Sequence, residues 1–556
     1  MFAIPLLIVG GGPVGSSASI LLSAHGIRSL LVERHPSTSI VPKARGINAR
    51  TMELYRQHGV ESAIRAASLP PGATGLIVWT ESLAGREIER RVPGRASSGN
   101  QAMTPVQNCL CAQDDLEPVL RQFAEAQAQA SLRFNADLIS AAQDADGVDA
   151  VLLDRHTNTE TRIRAQYVIA ADGNQSRIRR MLGVKMVGVE KIYDSVNIVF
   201  NADLRPWTAH RPSALYFVEQ PDLRGTFLTI DAHDRWGFLI HSLSQYGYTP
   251  ADFTDERCTA MIRQAVGVAD LPVKILGLSA WEASAFVADQ YRHGRIFLAG
   301  DAGHEMPPTG GFGLNTGVQD VHNLAWKRAA VLHGHAGDSL LDTYHPERHP
   351  TGTLITKTAL DNCLSMGRTE RQKTAKLPRA EFLSEQGLIF GASYESEAAI
   401  PDGTPPEPND SPITQYIPSA RPGRRAPHVW LWRDGQQIST VDLFGPHFVL
   451  LAGRRQRACD AGSPPPPVIY GWQRIGGPGG IMAGGRWRGI GTSGWLGRVA
   501  IALERSRSGR HSDGGLRRRT GGVIRFALTS GEMGALRDQE GGSRAVIARK
   551  GLAMVA

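Results

Sequence analysis

The sequence predicts an α/β fold, a parallel sheet wrapped by helices and interrupted by an inserted block of antiparallel β-structure. Three observations predict it. The N-terminus alternates strand, glycine turn, helix and strand in "PLLIVG", "GGPVG", "SSASILLSAHG" and "IRSLLVE", the order that builds a parallel sheet. Two later apolar runs, "AQYVIAADG" and "GRIFLAGD", read as further strands, and each stops at an aspartate. Between them, short alternating segments such as "SVNIVFNADL", "SALYFVEQ" and "RWGFLIHSL" suit antiparallel strands.

At 556 residues the chain exceeds one ordinary core. The expected organisation is a discontinuous α/β domain over 1–185 and 286–400, with a β domain over 186–285 covering a ligand. A Pro-rich linker and the start of a further small domain occupy 401–453, and a Gly/Arg-rich tail, expected to be disordered, occupies 454–556. With 42% hydrophobic and 21% charged residues the composition is globular, and no apolar run reaches the roughly 18 residues that span a bilayer. "MFAIPLLIVGGG" lacks a basic leader and reads as a first strand rather than a signal peptide, so a cytoplasmic protein is expected.

The five cysteines, Cys109, Cys111, Cys258, Cys363 and Cys459, show neither a CxxC pair nor a zinc spacing; reduced thiols and no metal are expected. The formal charge of +8 is not spread over the fold: residues 454–556 hold 17 Arg and one Lys against six acids, which leaves residues 1–453 near −4.

Gly10, Gly12 and Gly15 in "GGGPVG" have the G-x-G-x-x-G spacing, and Glu33 ends the next strand. By themselves the glycines also fit a plain strand-to-helix turn. With a strand before, a helix after and an acid about twenty residues on, they point to a dinucleotide: glycines admit the pyrophosphate, helix N–H groups face it, and the acid accepts ribose hydroxyls.

Other stretches are ambiguous alone. Arg45, Asn48 and Arg50 in "VPKARGINARTMELYRQHG" fit a surface loop capping a helix, Gln113 in "AQDDLEP" fits an acidic first turn, and Asp172-Gly173 fits a turn. In "GDAGHEMPPTGGFGLNTG", Gly300 and Asp301 end a parallel strand, where ligands of open α/β sheets sit. Pro307 and Pro308 fix the following path, and Gly310, Gly311 and Gly313 let the backbone approach a flat ring. Leu314 and Asn315 then begin a helix of about twenty residues whose free N–H groups and positive end face the same place.

Taken in order, "GGGPVG…LLVER", "KARGINARTMELYRQHG", "AQDDLEPVL", "AADGNQSRIRRMLG" and "GDAGHEMPPTGGFGLNTG…DVHNLAWKRAAVL…LLDTYHPER" resemble the FAD-dependent class A aromatic hydroxylases, the p-hydroxybenzoate hydroxylase-like flavoprotein monooxygenases. Within them the chain is most similar to hydroxylases of anthracycline- and angucycline-type polyketides, over about residues 3–453. The resemblance implies a Rossmann-like FAD-binding domain, an inserted substrate domain and an incomplete thioredoxin-like C-terminal domain. It implies that Glu33 binds the FAD ribose, Arg45 lies beside the cofactor and Gln113 meets its diphosphate-ribityl region. Asp172 and Gly173 form the motif shared by FAD and NAD(P)H, followed by Ser176 and Arg177. Asp301 accepts a ribityl hydroxyl, and the turn from Pro308 through Gly313 to Leu314 and Asn315 beds the flavin. His304 accompanies this motif and is expected to be structural.

The implied reaction uses NADH or NADPH as a transient reductant and O2, and hydroxylates a phenolic ring through a C4a-hydroperoxyflavin. No acid–base residue is singled out; Tyr216, Arg224 and His241 lie in the block expected to cover the substrate, and each also fits a surface or packing role. A Baeyer–Villiger or epoxidising monooxygenase and a simple phenol-degrading hydroxylase are the alternatives. A halogenase fits less well, since "WLWRDG" holds only the W-x-W part of the halogenase motif and lies outside the flavin domain. A nucleic-acid-binding tail is disfavoured for want of interleaved aromatics, and no membrane partner is expected. The abrupt change at about Arg454 instead matches a shifted reading frame or misplaced splice in GC-rich DNA.

Overall fold

The computed structural model describes residues 2–91 apart from 71, 74 and 75, residues 102–365, residues 385–446 apart from 434, and 449. From 451 onward it describes only five two-residue strands, so the expectations for the tail fall outside the described residues.

The N-terminal strand Phe2–Val9 lies at the centre of the first sheet, because Leu6, Leu7 and Ile8 are fully buried and leave no face for water. Parallel to it run Thr159–Ala170 and then Ile296–Leu298 on one side, and Ser29–Val32 and then Ala130–Arg133 on the other. The first half of Thr159–Ala170 extends beyond the parallel sheet and pairs antiparallel with Val148–Asp154, which pairs with Ala136–Gln143. Helices Pro13–Ala24 and Gly313–Leu332 pack on this sheet through residues such as Leu22, Val321 and Leu324.

The second sheet is mixed. Met186–Asn201, Arg235–His241, Arg224–Thr229 and Ser213–Glu219 follow one another antiparallel, flanked on one side by the long strand Lys274–Ala288. Two strands from far upstream, Leu76–Thr80 and Glu87–Arg91, complete the other side, Leu76–Thr80 lying parallel to Ser213–Glu219. The β-structure is therefore wider than residues 186–285, and it takes Leu76–Thr80 and Glu87–Arg91 from the stretch grouped by sequence with the α/β domain.

One face of this sheet is packed. Val196, Ile198, Phe227, Trp236 and Phe238 meet Cys258, Ile262 and Ala265 of helix Asp255–Val266, and the rings of Phe227 and Phe238 stack at 4.3 Å. Period-two alternation sends Ser195, Asn197, Leu239 and His241 to the opposite face, toward the first sheet.

The Pro-rich stretch after 401 is held against the molecule. Arg425 is almost fully buried and donates to the buried carboxylate of Glu53, with Nε 2.8 Å from Oε2, while Arg56 meets Asp442 at 2.6 Å. These pairs fasten residues 416–442 to helix Ala49–Gln57. Cys109, Cys111, Cys258 and Cys363 are buried and form no disulfide with one another. Among the described residues no helix is long and apolar enough to cross a membrane.

Candidate active site

Three acids and the glycine turn occupy the carboxyl ends of four adjacent parallel strands: Asp301 after Ile296–Leu298, Asp172 after Thr159–Ala170, Gly10 after Phe2–Val9, and Glu33 after Ser29–Val32. At about 5 Å per strand, this row suits an extended ligand lying across the sheet edge.

Gly10 has φ +110° and crosses the end of the neighbouring strand so closely that any Cβ would collide with Ala171 O. Gly15 lies against Gly10 O in the same way, so the helix Pro13–Ala24 starts directly on the strand. Its first N–H groups consequently open toward the edge. Gly12 is the N-cap and leaves room above it. Glu33 accepts the Gly11 N–H at 2.7 Å with Oε2 and the His35 N–H at 2.9 Å with Oε1; each oxygen keeps a lone pair for a hydroxyl.

Asp172 Oδ2 accepts the Arg177 N–H at 2.8 Å, and Ser176 caps the short helix Arg177–Met181. Its Oδ1 is buried and has no hydrogen-bond partner among the described residues, and burial pushes the carboxyl above its ordinary value. An orphaned acceptor beside Gly173 is the feature a bound hydroxyl or amide would satisfy.

Asp301 is exposed, but the surface it exposes forms part of the cavity wall. With protein on its other sides, desolvation raises its pKa, against the pull of His304, Lys43 and Arg179. Its turn, Gly300–Ala302, is braced from behind: Asp320 Oδ2 accepts the Gly300 N–H at 3.1 Å, and Arg179 donates to Ala302 O at 3.0 Å. Asp320 also meets His304 Nε2 at 2.7 Å and Arg348 Nε at 2.7 Å, all fully buried. His304 is thus a strut.

After Pro308 the chain turns at Gly310 and Gly311 and enters helix Gly313–Leu332, whose Gly313 and Leu314 face the cavity. Asn315 does not line it. Its Oδ1 accepts the Asn48 N–H at 2.9 Å and its Nδ2 donates to Gly46 O and Gly311 O, each at 2.8 Å, so the side chain stitches the helix start to the 46–48 loop. Gly15 and Gly300 likewise stand behind the wall.

Arg45 reaches across the cavity. Its guanidinium donates to Thr229 O at 2.9 Å and to Ala214 O, both on the second sheet side, and burial without a carboxylate lowers its pKa to about 10. Gln113 accepts the Ala44 N–H at 3.2 Å and donates to Glu117 Oε1 at 2.6 Å, which positions the loop carrying Arg45.

Gly10, Gly12, Glu33, Arg45, Gln113, Asp172, Gly173, Asp301, Pro308, Gly313 and Leu314 border one cavity of about 2490 Å³ lying between the strand ends and the open face of the second sheet. An ordinary small-molecule pocket is about 300–1,000 Å³, so there is room for a dinucleotide and a second ligand. The opposite wall is largely apolar, with Ile77, Phe217, Leu228 and Leu239, and carries Ser195, Asn197, Thr226 and His241 as polar points. Of the three side chains left open by the sequence, Tyr216 faces away, its buried hydroxyl bonded to Arg211 O at 2.9 Å and its pKa pushed up to about 12 by burial. Arg224 pairs with Glu219 at 3.1 Å. His241 lines the cavity.

A glycine-turn cradle facing an apolar sheet across one cavity is the architecture of a dinucleotide-dependent oxidoreductase with a separate substrate side. The chain belongs to the FAD binding domain family, whose profile matches residues 3–359. It is 41% identical over 471 residues to the tetracenomycin B2 monooxygenase-dioxygenase of Streptomyces olivaceus, covering 81% of this chain and 84% of that protein. To the aklavinone 12-hydroxylase of Streptomyces peucetius it is 39% identical over 474 residues, covering 84% and 95%. The flavin-dependent monooxygenase PieE in complex with FAD and substrate superposes with a TM-score of 0.74 at 32% identity, covering 81% of this chain and 85% of that one. A ternary complex of aklavinone-11 hydroxylase with FAD and aklavinone gives 0.70 at 34% identity, covering 81% and 84%. The protein is an FAD-dependent monooxygenase.

Proposed function

We propose that this enzyme hydroxylates an uncharged polycyclic phenol of the aromatic polyketide kind, with NADH or NADPH as reductant, in the cytoplasm. The observation that carries the substrate class is the wall of the cavity facing the cradle. It is broad and largely apolar, and the ammonium it carries is engaged: Lys191 lies 3.4 Å from Glu282 and 3.9 Å from Asp194. Against those apolar side chains a flat neutral ring system makes its contacts without desolvating a charge.

In this reading Gly10, Gly12 and the N-terminus of Pro13–Ala24 hold the FAD pyrophosphate, Glu33 its ribose, Asp172 and Asp301 its remaining polar groups. Gly313 and Leu314 direct the N–H groups of the long helix to the flavin ring, favouring negative charge there. Bound FAD supplies the activation of dioxygen. The apolar wall orients the substrate ring and keeps water out, so that the transferred oxygen is spent on the substrate. Residues 1–185 and 286–400 act as the cofactor domain, 186–285 with the two upstream strands as the substrate domain, and residues up to 453 as the start of a thioredoxin-like domain.

The test is pyridine-nucleotide oxidation by the FAD-loaded protein with a panel of phenols. Stimulation by neutral polycyclic phenols, with a new phenolic hydroxyl in the product, supports the reading. Stimulation only by benzoates, or a ring-expanded or epoxide product, refutes it.

A further inference from the structure

His241 ends the strand Arg235–His241 and sits opposite Ser195 of Met186–Asn201, both on the cavity wall. Ser195 Oγ donates its one proton to Ile240 O at 2.8 Å. The 2.9 Å contact between Ser195 Oγ and His241 Nδ1 can then be satisfied only by an N–H on Nδ1. The neutral ring is thereby fixed in the tautomer whose basic lone pair is on Nε2. The ring plane is also fixed, edge-on to Tyr193 at 5.3 Å and to Trp281 at 6.2 Å.

We propose that His241 is the base that ionises the substrate's phenol, an assignment that rests on the function proposed above. The phenolic O–H bond breaks, its electron pair stays on oxygen, and the proton forms an N–H bond at Nε2. The imidazolium keeps its Nδ1–H on Ser195, and the phenolate makes the ring carbon electron-rich enough to accept an electrophilic oxygen. The charged groups of the neighbouring strands are Asp194 and Lys191 on the partner strand and Glu282 on the next one, with Lys191 3.9 Å from Asp194 and 3.4 Å from Glu282. Tyr193 is the neighbouring phenol.

The experiment uses the FAD-loaded full chain with aklavinone, photoreduced and then mixed with oxygenated buffer between about pH 5 and 9. His241→Gln should bind FAD as the wild type does, yet form about 10²-fold less hydroxylated product, releasing hydrogen peroxide instead. The phenolate absorption of bound aklavinone at neutral pH should be present in the wild type and absent in His241→Gln. Its product yield should rise only at the alkaline pH where the phenol ionises unaided, and imidazole added to His241→Ala should restore part of it. Ser195→Ala should give an intermediate loss. Wild-type yield, pH profile and phenolate band in His241→Gln would overturn the proposal. A wild-type chain that binds FAD and leaves aklavinone unhydroxylated would instead overturn the substrate reading beneath it.

Discussion

The carboxylate of Asp320 accepts the backbone N–H of Gly300 at 3.1 Å, so a residue on the buried side of the long helix fixes the turn that presents Asp301. Burial opposes its ionisation, but Arg348 and His304 hold the carboxyl below its ordinary value. Asp320→Ala leaves Arg348 buried and uncompensated, and is predicted to cost about 3–5 kcal/mol. Thermal unfolding and flavin retention through gel filtration check this. Both should fall together, since the turn and the core share one anchor.

Gly10→Ala tests the cradle. At φ +110° with Ala171 O against the missing Cβ, the alanine must either push the strand ends apart or abandon the turn. A loss of about 1–3 kcal/mol in stability is expected from strain of this kind. The purified variant should be colourless while its far-ultraviolet circular dichroism is unchanged.

Removal of Arg425 leaves the fully buried Glu53 with only Arg50 at 3.0 Å and the Thr104 hydroxyl at 2.7 Å. Arg425→Met is predicted to destabilise by about 2–4 kcal/mol, and the double change Glu53→Gln with Arg425→Met to recover most of it. Denaturant unfolding of the four proteins of the cycle measures the coupling. Additive effects would mean that the 416–442 segment is not fastened through this pair.

Acid should loosen the same region through His58, whose pKa burial lowers to about 4. The unfolded chain takes up the proton near 6.5, so the contribution is complete above that pH and is lost as pH falls from about 6.5 to 4. Allowing for its partly exposed edge, the loss is about 1–2 kcal/mol. Melting temperature against pH should be flatter in His58→Gln over that window. Equal slopes would contradict the assignment.

Legibility in the sequence followed locality. The glycine turn at Gly10, the acids at the strand ends and the helix opening at Gly313 each sit in one contiguous stretch, where spacing alone carries the geometry. The parts that stayed hidden are non-local: Leu76–Thr80 joining a sheet built more than a hundred residues later, Arg45 reaching Thr229, and Asp320 bridging Gly300 to Arg348. Tyr216 and His241 were indistinguishable for a related reason. Both lie on strands of one sheet, and only the register, which reverses the face with each residue, sends one to the packed side and the other to the cavity. Asn315 had the right place and a different task, since its side chain ties the helix start to Asn48 while the backbone N–H groups of its turn remain directed toward the cavity.

The central claim, that one cavity holds FAD against a neutral polycyclic phenol and inserts oxygen into it, is tested most directly by mass spectrometry of the product formed under isotope-labelled dioxygen. FAD-loaded protein, aklavinone and NADPH or NADH should yield a product carrying one labelled oxygen as a new ring hydroxyl. A product labelled from water, a ring-expanded lactone, or peroxide with aklavinone recovered intact would contradict it.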